Sequence, residues 1–584
     1  MSQVLRFDCF EVDLAAGHLF KRGIRIGLRD QPFQVLAALL ERPGQVVTRD
    51  DLRRRLWPAE VFVDFENSLN IAVTRLRTAL GDSAEHPRFV ETLPRRGYRF
   101  IGDVSPPAPG VTEGPKQRLK LVVLPFVNLS GNPAHEYFCD ALTDEIITAL
   151  TSVAPEQMVV IARASAMHYR GSRMDLSRVV SELGVDYVVE GALHDAERQV
   201  AVNVQLVQAS DKTHLFARRY RRELSDVFQM YDSIVQDITK HVSAIAGKAQ
   251  RGPAAKKPTE NPAAYDEYIQ GRHEMWKWTP EGVAKANRHF EAALARDPNF
   301  ALACDGLANL YGYLGFWGFL PPDEAEPLRR FYGLRAVELD STLAEPRTHV
   351  AYRPLKLRYE DAYSYNWLEA ERLMASARDL NPNSPLIRVR HATVLMVLGK
   401  TGQAIAELEC ALESDPLSPE VRFWLVEALL FDRQYERGLD QAKLGTELEP
   451  GFHIAHMVLG QVYLGMQRFE ESVAALRRAA EMSNDLPLML GWLGLALGLG
   501  GQTTAATMVL ERIRAISSQR FVLPTSFAWV HLGLGEIDDA FAWMERAVDR
   551  NDEWVHPLRV YPFLDPLRAD RRFHALLRKL NLET

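Results

Sequence analysis

Ser68–Leu80, with the sequence SLNIAVTRLRTAL, is the stretch that decides the fold of the amino-terminal part of the chain. Four apolar side chains, Leu69, Val73, Leu76 and Leu80, fall within a sector of about 60° when successive residues are placed about 100° apart on a helix. The stretch therefore predicts an amphipathic helix that turns its apolar side toward a core.

The opposite side of this helix is predicted to be exposed. It carries Asn70, Ile71, Thr74, Arg75 and Thr78. An isoleucine beside polar side chains suits a helix that reads the major groove, because Ile packs on a thymine methyl group, Asn bonds adenine and Arg bonds guanine. Taken alone, the pattern also fits an ordinary solvated helix face, and that alternative stays open at this point.

A basic hairpin is predicted directly after this helix. The short β runs Arg88–Thr92 and Tyr98–Ile101 are joined by LPRRG, which presents Arg95 and Arg96 at the tip and supplies Gly97 for the turn. Such a hairpin is typical of a wing, which can approach the sugar-phosphate backbone or the minor groove of a DNA duplex.

A small sheet and two further helices are predicted before the amphipathic helix. Asp30 can cap a first helix, and Thr48 with Asp51 forms a start resembling a capping box for a second helix, Leu52–Trp57. The antiparallel sheet is predicted from three short runs that alternate apolar and polar residues: Leu5–Phe7, Leu19–Lys21 and Ile24–Leu28.

Residues 3–102 resemble the OmpR/PhoB-type winged-helix family through GQVVTRDDLRRRLWP (44–58), SLNIAVTRLRTALGD (68–82) and RFVETLPRRGYRF (88–100). In that family the corresponding helix enters the major groove and the hairpin reaches the minor groove. This chain has Pro94 and Arg95 where many members have Arg-Gly, so the arginine of the wing is displaced by one residue. The resemblance implies base reading by Asn70, Ile71, Thr74 and Arg75, positions near phosphates for Arg77 and Trp57, and contact of Pro58–Glu66 with RNA polymerase.

Two proline-rich linkers, 104–118 and 247–262, are predicted to divide the chain into a winged helix (1–103), a central α/β domain (119–246) and a helical superhelix (263–584). In the central segment apolar β-rich runs alternate with helical ones: LKLVVLPFV, EYFCDALTDEIITALTSV, MVVIARA, LSRVVSELG and VDYVVEGAL. This segment resembles the TolB-like domain found beside tetratricopeptide repeats in some regulators and adenylate cyclases.

A 34-residue period governs the sequence beyond residue 262. Pro382, Pro416 and Pro450 are spaced by 34 residues. The same apolar positions recur as Ala392, Val426, Gly460 and Gly494, and again as Leu408, Ala442, Leu476 and Leu510. This period resembles the tetratricopeptide repeat and predicts an α-solenoid of helix pairs. The same period predicts that the glycine-rich stretch Leu497–Thr504 is a turn between two helices. A phosphate-binding loop would need a Lys-Ser/Thr pair and a preceding strand, and this stretch has neither.

Composition limits the possible functions. The four cysteines are far apart, and none of the central histidines His135, His168, His194 and His214 has metal-ligand spacing, so we predict no catalytic residues, no metal and no cofactor. The apolar stretch Leu486–Gly501 is shorter than a membrane span and is expected to be a buried helix. We infer no export signal and expect a cytoplasmic protein that contacts no membrane. Residues 1–104 carry a charge of +2 and the remainder −9, so DNA contact is expected at the amino-terminal end.

These patterns together predict a multidomain α/β plus α protein that regulates transcription. The arrangement resembles one-component regulators of the CadC and ToxR kind without their membrane helix, and we expect no receiver domain and no dependence on aspartyl phosphorylation. The expected partners are double-stranded DNA, RNA polymerase and an unknown protein or peptide bound in the concave groove of the repeats. The main alternative is a repeat scaffold that assembles proteins and is tethered to DNA, and a third is an enzyme hidden in the α/β domain.

Overall fold

The protein forms two compact units in a computed structural model. The first unit comprises residues 1–121, 171–188 and 208–213, and the second comprises residues 122–170, 189–207 and 214–584. The predicted linkers lie largely outside the described residues, so the domain boundaries drawn there stay a prediction. The structure describes residues 4–583 except 8–9, 15–16, 22–23, 27, 29, 57–64, 81, 84–86, 94–95, 103, 105–117, 133–134, 152–157, 171–175, 197–198, 224–226, 246–257, 276–279, 352–354 and 357–362.

The first unit opens with a four-stranded antiparallel sheet in the order β1-β2-β3-β4. The sheet was predicted from three runs, and the strand that was missed, β2, offers only Phe10 and Val12 as an apolar signal. The strands are β1 (Val4–Phe7), β2 (Phe10–Asp13), β3 (His18–Lys21) and β4 (Ile24–Ile26).

Three helices and a second sheet complete the winged helix. The helices are α1 (Asp30–Leu40), α2 (Arg49–Leu56) and α3 (Phe65–Leu80). The second sheet has the order β5-β7-β6 and contains β5 (Val46–Thr48), β6 (Val90–Leu93) and β7 (Gly97–Phe100). The pair β6 and β7 is the predicted wing. The predicted apolar face of α3 is confirmed, since all four of its members are almost fully buried: Leu69, Val73, Leu76 and Leu80.

The predicted capping box at the start of α2 is confirmed. The Thr48 hydroxyl accepts a hydrogen bond from the Asp51 amide (3.1 Å), and the Asp51 carboxylate accepts one from the Thr48 amide (3.4 Å). The helix begins at Arg49, three residues earlier than predicted, because the residue after the cap already has helical geometry. The Asp30 side chain lies outside the described residues, so its cap stays a prediction.

An aromatic cluster joins the first sheet to the wing. The ring of Phe7 lies 4.8 Å from that of Phe100 and 5.4 Å from that of Phe89, centroid to centroid. Phe10 stacks on Phe7 at 5.3 Å. The N-terminal strands and the wing therefore share one core, which fixes where the wing emerges relative to α3.

The central segment contains a sheet flanked by helices, as the alternating pattern predicted. Its strand order is β10-β8-β11-β12-β13, with β9 beside β11. The strands are β8 (Leu119–Val123), β9 (Val127–Asn128), β10 (Met158–Val160), β11 (Tyr187–Ala196), β12 (Gln199–Gln208) and β13 (His214–Glu223). The helices are α4 (Glu136–Thr151), α5 (Arg163–Met167), α6 (Leu176–Leu183) and α7 (Val227–Ile245).

Helix pairs form most of the rest of the second unit. They are α8 (Pro262–Met275), α9 (Pro280–Arg296), α10 (Ala301–Phe316), α11 (Pro322–Leu339), α12 (Glu345–Ala351), α13 (Trp367–Leu380), α14 (Pro385–Val397), α15 (Thr401–Ser414), α16 (Pro419–Phe431), α17 (Tyr435–Leu448), α18 (His453–Gly465), α19 (Phe469–Met482), α20 (Pro487–Leu499), α21 (Thr503–Ser517), α22 (Pro524–Leu534) and α23 (Ile537–Asp549). Between α12 and α13 lies an unpredicted strand pair, β14 (Leu355–Lys356) and β15 (Tyr363–Ser364).

The 34-residue period is confirmed. The first helices of the four central repeats start at Pro385, Pro419, His453 and Pro487. The predicted turn is also confirmed, since Gly501, at φ +77°, separates α20 from α21. All eight recurring positions are buried: Ala392, Val426, Gly460, Gly494, Leu408, Ala442, Leu476 and Leu510.

The first helices of the repeats form an inner layer and the second helices an outer layer. Twelve of the 13 residues of α20 are buried, but only three of the 15 residues of α21 are. The predicted buried helix over Leu486–Gly501 is therefore confirmed. Within the described part of the chain, no helix is both long and apolar enough to cross a membrane.

The C-terminal segment, residues 551–583, covers the inner layer. It contains two 3₁₀ helices (Glu553–Arg559 and Pro562–Leu567) and α24 (Arg571–Lys579). The ring of Tyr561 lies 6.0 Å from that of Trp492 in α20 and 5.7 Å from that of Trp529 in α22. The inner helices are consequently buried on both sides. The C-terminal segment therefore occupies much of the concave groove that was predicted to bind a partner.

A buried polar contact joins α5 to the repeats. The amide and hydroxyl of Ser165 donate to the same Asp415 carboxylate oxygen, at 2.9 and 2.6 Å, and the Ser165 hydroxyl accepts from the Leu417 amide at 2.8 Å. The Ala162 amide donates to the carbonyl of Ser414, the last residue of α15, at 2.7 Å. Because these groups are buried, removal of one partner would leave the others without a hydrogen bond and out of reach of water.

An ionic cluster extends the same junction to α8. Asp140 of α4 is buried, and its carboxylate accepts from His273 Nδ1 at 2.8 Å and contacts Arg163 and Arg170. Burial opposes ionisation of Asp140, but these basic partners hold the pKa of its carboxyl below the usual value. The central helices and the repeats therefore pack through satisfied charges.

We expect Asp415→Ala to lower the free energy of unfolding by about 2–4 kcal/mol, because it removes the acceptor of two buried hydrogen bonds. Asp415→Asn keeps an oxygen that can accept both hydrogen bonds, so it should lower the free energy of unfolding by less.

Burial raises the pKa of Asp415 to about 6. Its protonation therefore stabilises the folded wild type at low pH, and this contribution is lost as the pH rises through about 6. Urea midpoints of wild type and Asp415→Asn should shift in favour of wild type between pH about 7 and 4, and an unchanged difference would contradict the assignment.

Candidate nucleic-acid interface

The outward face of α3 is exposed as the sequence predicted. Ile71 keeps 45% of its surface exposed, which is unusual for so large an apolar side chain beside a well-packed core. Asn70, Thr74 and Arg75 are also exposed on this face, whereas the Thr78 side chain lies outside the described residues. Among the described residues, Arg75 has no ion-pair partner.

Asn70 takes part in a network that the sequence did not reveal. Its Oδ1 accepts a hydrogen bond from the Tyr98 hydroxyl (3.0 Å), and both terminal nitrogens of Arg49 approach it at 3.5 Å. Arg49 also donates to the Tyr98 hydroxyl at 3.2 Å and lies over its ring. These three side chains come from α3, β7 and the start of α2. The network therefore fixes the helix against the wing and occupies an oxygen that base reading by Asn70 would use.

Arg77 connects α3 by hydrogen bonds to β6, the other strand of the wing. Its Nη2 donates to the Val90 carbonyl and to the Thr92 hydroxyl, each at 2.7 Å, and the side chain is half-buried. The sequence predicted Arg77 to be a cation near phosphate, but these two hydrogen bonds hold it on β6. A phosphate contact by Arg77 stays a prediction.

Asp82 orders the loop between α3 and the wing. Its carboxylate accepts from the backbone amides of Arg88, Phe89 and Val90 at 2.7, 3.2 and 2.8 Å. One acidic side chain thus satisfies three amides that enter β6. This role was missed because contacts to a following loop leave no periodic signal in the sequence.

The wing turn depends on Gly97. Its φ is +152°, and a Cβ at this position would lie 2.1 Å from the Val47 carbonyl oxygen of β5. Arg96 is exposed at the tip, and its amide donates to the Leu93 carbonyl at 3.0 Å. Arg95 and Trp57, which were also predicted to face phosphate, lie outside the described residues, as does most of Pro58–Glu66.

Several other arginines of this domain are engaged in ion pairs. Arg55 makes two 2.7 Å contacts with Glu41, whose pKa this bond lowers. Arg99 pairs with Glu91 at 2.6 Å. Arg75 on α3 and Arg96 on the wing are exposed, and neither has an ion-pair partner among the described residues.

Several histidines make local polar contacts with neighbouring side chains. The ring of His531 shares a hydrogen bond with Glu536 at 2.6 Å, and Asp539 lies within 4.8 Å of this pair. Both acids are exposed, so the group carries no metal assignment. The histidines of the central segment make isolated polar contacts: His135 with Ser130, His168 with Glu449 and His194 with Asn203.

Family models match three parts of the chain. Residues 23–100 match the C-terminal domain of transcriptional regulatory proteins, and residues 116–239 match the second domain of HilA/YgeH-like transcriptional regulators. Residues 389–443 and 454–486 match tetratricopeptide repeats. The first domain is therefore an OmpR/PhoB-type winged helix, as predicted. For the central segment the matching model is HilA-like, and the TolB-like resemblance stays a prediction.

The chain is similar to several individual proteins. The chain is 23% identical over 476 residues to the transcriptional regulator HilA of Salmonella typhimurium, covering 79% of this chain and 78% of that protein. It is 30% identical over 275 residues to putative adenylate cyclase 3 of Rhizobium meliloti, covering 43% of this chain and 46% of that protein, so it spans about half the length of this relative. The crystal structure of the Klebsiella pneumoniae RstA DNA-binding domain with the RstA box is 28% identical, covering 17% of this chain and 96% of that one, with a TM-score of 0.16.

We expect Gly97→Ala to destabilise the winged helix by about 2 kcal/mol or more, because the new Cβ collides with backbone at an unfavourable φ. Gly44→Ala is the matched control. Gly44 also has a positive φ (+76°), but nothing lies within 4 Å of the position that a Cβ would take there. Thermal unfolding of the full chain should show a larger loss of stability for Gly97→Ala than for Gly44→Ala, and equal losses would show that the approach to Val47 does not matter.

Proposed function

We propose that this chain, which joins an OmpR/PhoB-type DNA-binding domain to a HilA-like second domain and tetratricopeptide repeats, is a sequence-specific transcription regulator of one-component type. The observation that carries the proposal is the exposed face of α3, where Ile71 and Arg75 point away from a well-packed core beside a basic wing. Because the ligand is duplex DNA, the proposed place of action is the cytoplasm.

In this proposal α3 reads bases and the wing holds phosphates. Ile71 packs on a thymine methyl group, Arg75 bonds guanine, and Thr74 and Asn70 complete the base-reading set. The Asn70 oxygen has to exchange the Tyr98 hydroxyl for a base donor as the helix enters the groove. The proposed phosphate contacts come from Arg95 and Arg96, with Trp57 and Arg77 nearby, and Pro58–Glu66 is the proposed contact for RNA polymerase.

The central segment and the repeats are proposed to receive a signal without enzymatic chemistry. A relative named as an adenylate cyclase aligns with less than half of this chain, and the polar contacts of the central histidines are isolated from one another. Since the C-terminal segment covers the inner layer, the proposed protein partner binds elsewhere or displaces that segment. This revises the expected binding in an open groove.

A scaffold that assembles proteins is the second candidate function. It is favoured by an apolar row on α11, where Leu328, Phe331 and Leu334 are exposed, Phe331 by 61%. Exposed apolar rows of this kind commonly mark protein contacts. The two candidates differ in what the DNA-binding domain is needed for.

We expect Arg75→Ala to lose about 1–3 kcal/mol of binding to the preferred sequence and to relax preference at one or two base pairs. Replacing Arg95 and Arg96 together should weaken binding to matched and unmatched DNA alike. It should also flatten the dependence of log affinity on log salt by about 0.9 for each phosphate that the wing no longer neutralises. Affinities on both DNAs across a salt series measure this. The opposite pattern, with Arg75→Ala changing only the salt slope, would mean that helix and wing have exchanged roles.

Deletion of residues 1–104 distinguishes the two candidate functions, transcription regulator and protein scaffold. If the chain regulates transcription, we expect transcripts to change while protein complexes of the deleted chain persist, because the deletion leaves the core of the repeats and its junction with α5 in place. The point variant Arg75→Ala in the full chain is the matched control, since it leaves every domain in place. Loss of a protein complex without any transcript change would favour the scaffold.

A further inference from the structure

Four arginines lie close together on β13, the edge strand of the central sheet: Arg218, Arg219, Arg221 and Arg222. All four are exposed. Residues 105–584 together carry a charge of −9, so this strand is a local concentration of positive charge in an acidic part of the chain. Such a concentration on a surface favours binding of an anionic partner.

Helix α7 covers one side of β13. The ring of Phe216 lies 4.5 Å from that of His241, and the Tyr220 hydroxyl donates to the Asp237 carboxylate at 2.6 Å. Side chains alternate between the two sides of a strand, so Arg219 and Arg221 lie on the side opposite to α7. They are about 7 Å apart along the strand. Two guanidinium groups therefore share one side of the sheet.

The arginines of β13 differ in how their charges are balanced. Arg218, on the side of α7, pairs with Asp237 at 2.6 Å. Arg219 and Arg221 have no ion-pair partner among the described residues. The neighbouring strand β12, with the sequence QVAVNVQLVQ, contains no charged residue. The two arginines that α7 leaves uncovered are thus available to a ligand.

Polar amides lie beside these two arginines. Asn203 of β12 lies opposite Arg219 in the ladder, and Gln205 follows two residues later on the same side. Both amides are half-buried. Glu190 belongs to β11, which β12 separates from β13, and the Glu223 side chain lies outside the described residues. We call Asn203, Gln205, Arg219 and Arg221 the open face; it joins two cations to neutral groups that can donate hydrogen bonds.

The open face suits the phosphate backbone of duplex DNA. A duplex presents a regular row of negative charges, and the planar guanidinium group matches phosphate oxygens with two hydrogen bonds. Addition of a peptide strand to the edge is less favourable, because charged side chains on an edge strand oppose pairing. Arg222 also donates to the Arg221 carbonyl there, at 2.9 Å.

We propose that Arg219 and Arg221 on the open face bind phosphates of duplex DNA, as a second contact in addition to that of the winged helix. This contact adds affinity without sequence preference, because phosphates are the same at every base pair. The inference rests on the proposed function in taking duplex DNA as the ligand of the chain. It does not require that α3 reads bases.

The test is a fluorescence-anisotropy titration of the full chain on a mixed-sequence duplex of about 60 base pairs, which spans about 200 Å. Changing Arg219→Gln and Arg221→Gln together should weaken binding about tenfold or more at about 0.1 M salt. The slope of log affinity against log salt should flatten by about 1.8, or about 0.9 for each of two phosphates. The pair Arg219→Lys and Arg221→Lys should stay within about threefold of wild type, because lysine also binds phosphate as a point charge.

Arg477→Gln with Arg478→Gln is the matched control. Both arginines are exposed on the outer helix α19, and their replacement removes the same net charge. This control should leave the affinity for DNA within about twofold of wild type and the salt slope unchanged, since an exposed charge away from the contact is screened. Thermal unfolding verifies that each variant is folded.

Three results would overturn the proposal. One is an unchanged affinity and salt slope for the folded Arg219→Gln, Arg221→Gln variant, and another is an equal loss in the control. The third is binding of a polyglutamate peptide that depends on these arginines while DNA affinity does not, which would assign the open face to an acidic protein. Failure of base reading, seen as Arg75→Ala binding its preferred sequence like wild type, is a separate outcome, because the open face is measured on mixed-sequence DNA.

Discussion

Burial of the inner repeat helices on both sides is the constraint on which the second unit depends. A helix such as α20, with the sequence PLMLGWLGLALGL, has no polar face to offer water. The outer helices cover one side, and the C-terminal segment has to cover the other. Tyr561 and Trp554 supply the required area, packing within 6.0 and 6.3 Å of the Trp492 ring. The C-terminal segment is thus part of the core of the repeats.

The winged helix solves the opposite problem, because it must keep one helix face free of partners. Two contacts hold α3 without using its outward face, namely its apolar side in the core and Arg77 on β6. The network of Asn70, Tyr98 and Arg49 is a third contact, and it uses one residue of that face. The exposed Ile71 is therefore presented on a fixed scaffold. A preorganised face of this kind loses little conformational entropy when it binds a partner.

The sequence by itself determined the elements whose signal is periodic and local. The apolar stripe Leu69, Val73, Leu76 and Leu80 placed α3 and its exposed face, the Thr48 and Asp51 pair placed the start of α2, and the 34-residue period placed the repeats. Only the tertiary structure decided the contacts between residues far apart in the chain. Ser165 with Asp415, Tyr98 with Asn70, and the C-terminal segment against α20 pair residues that are distant in sequence, and no periodicity records such a pairing. Long-range contacts depend on which surfaces remain unburied after local structure has formed, so they follow from the whole fold and not from any one stretch of it.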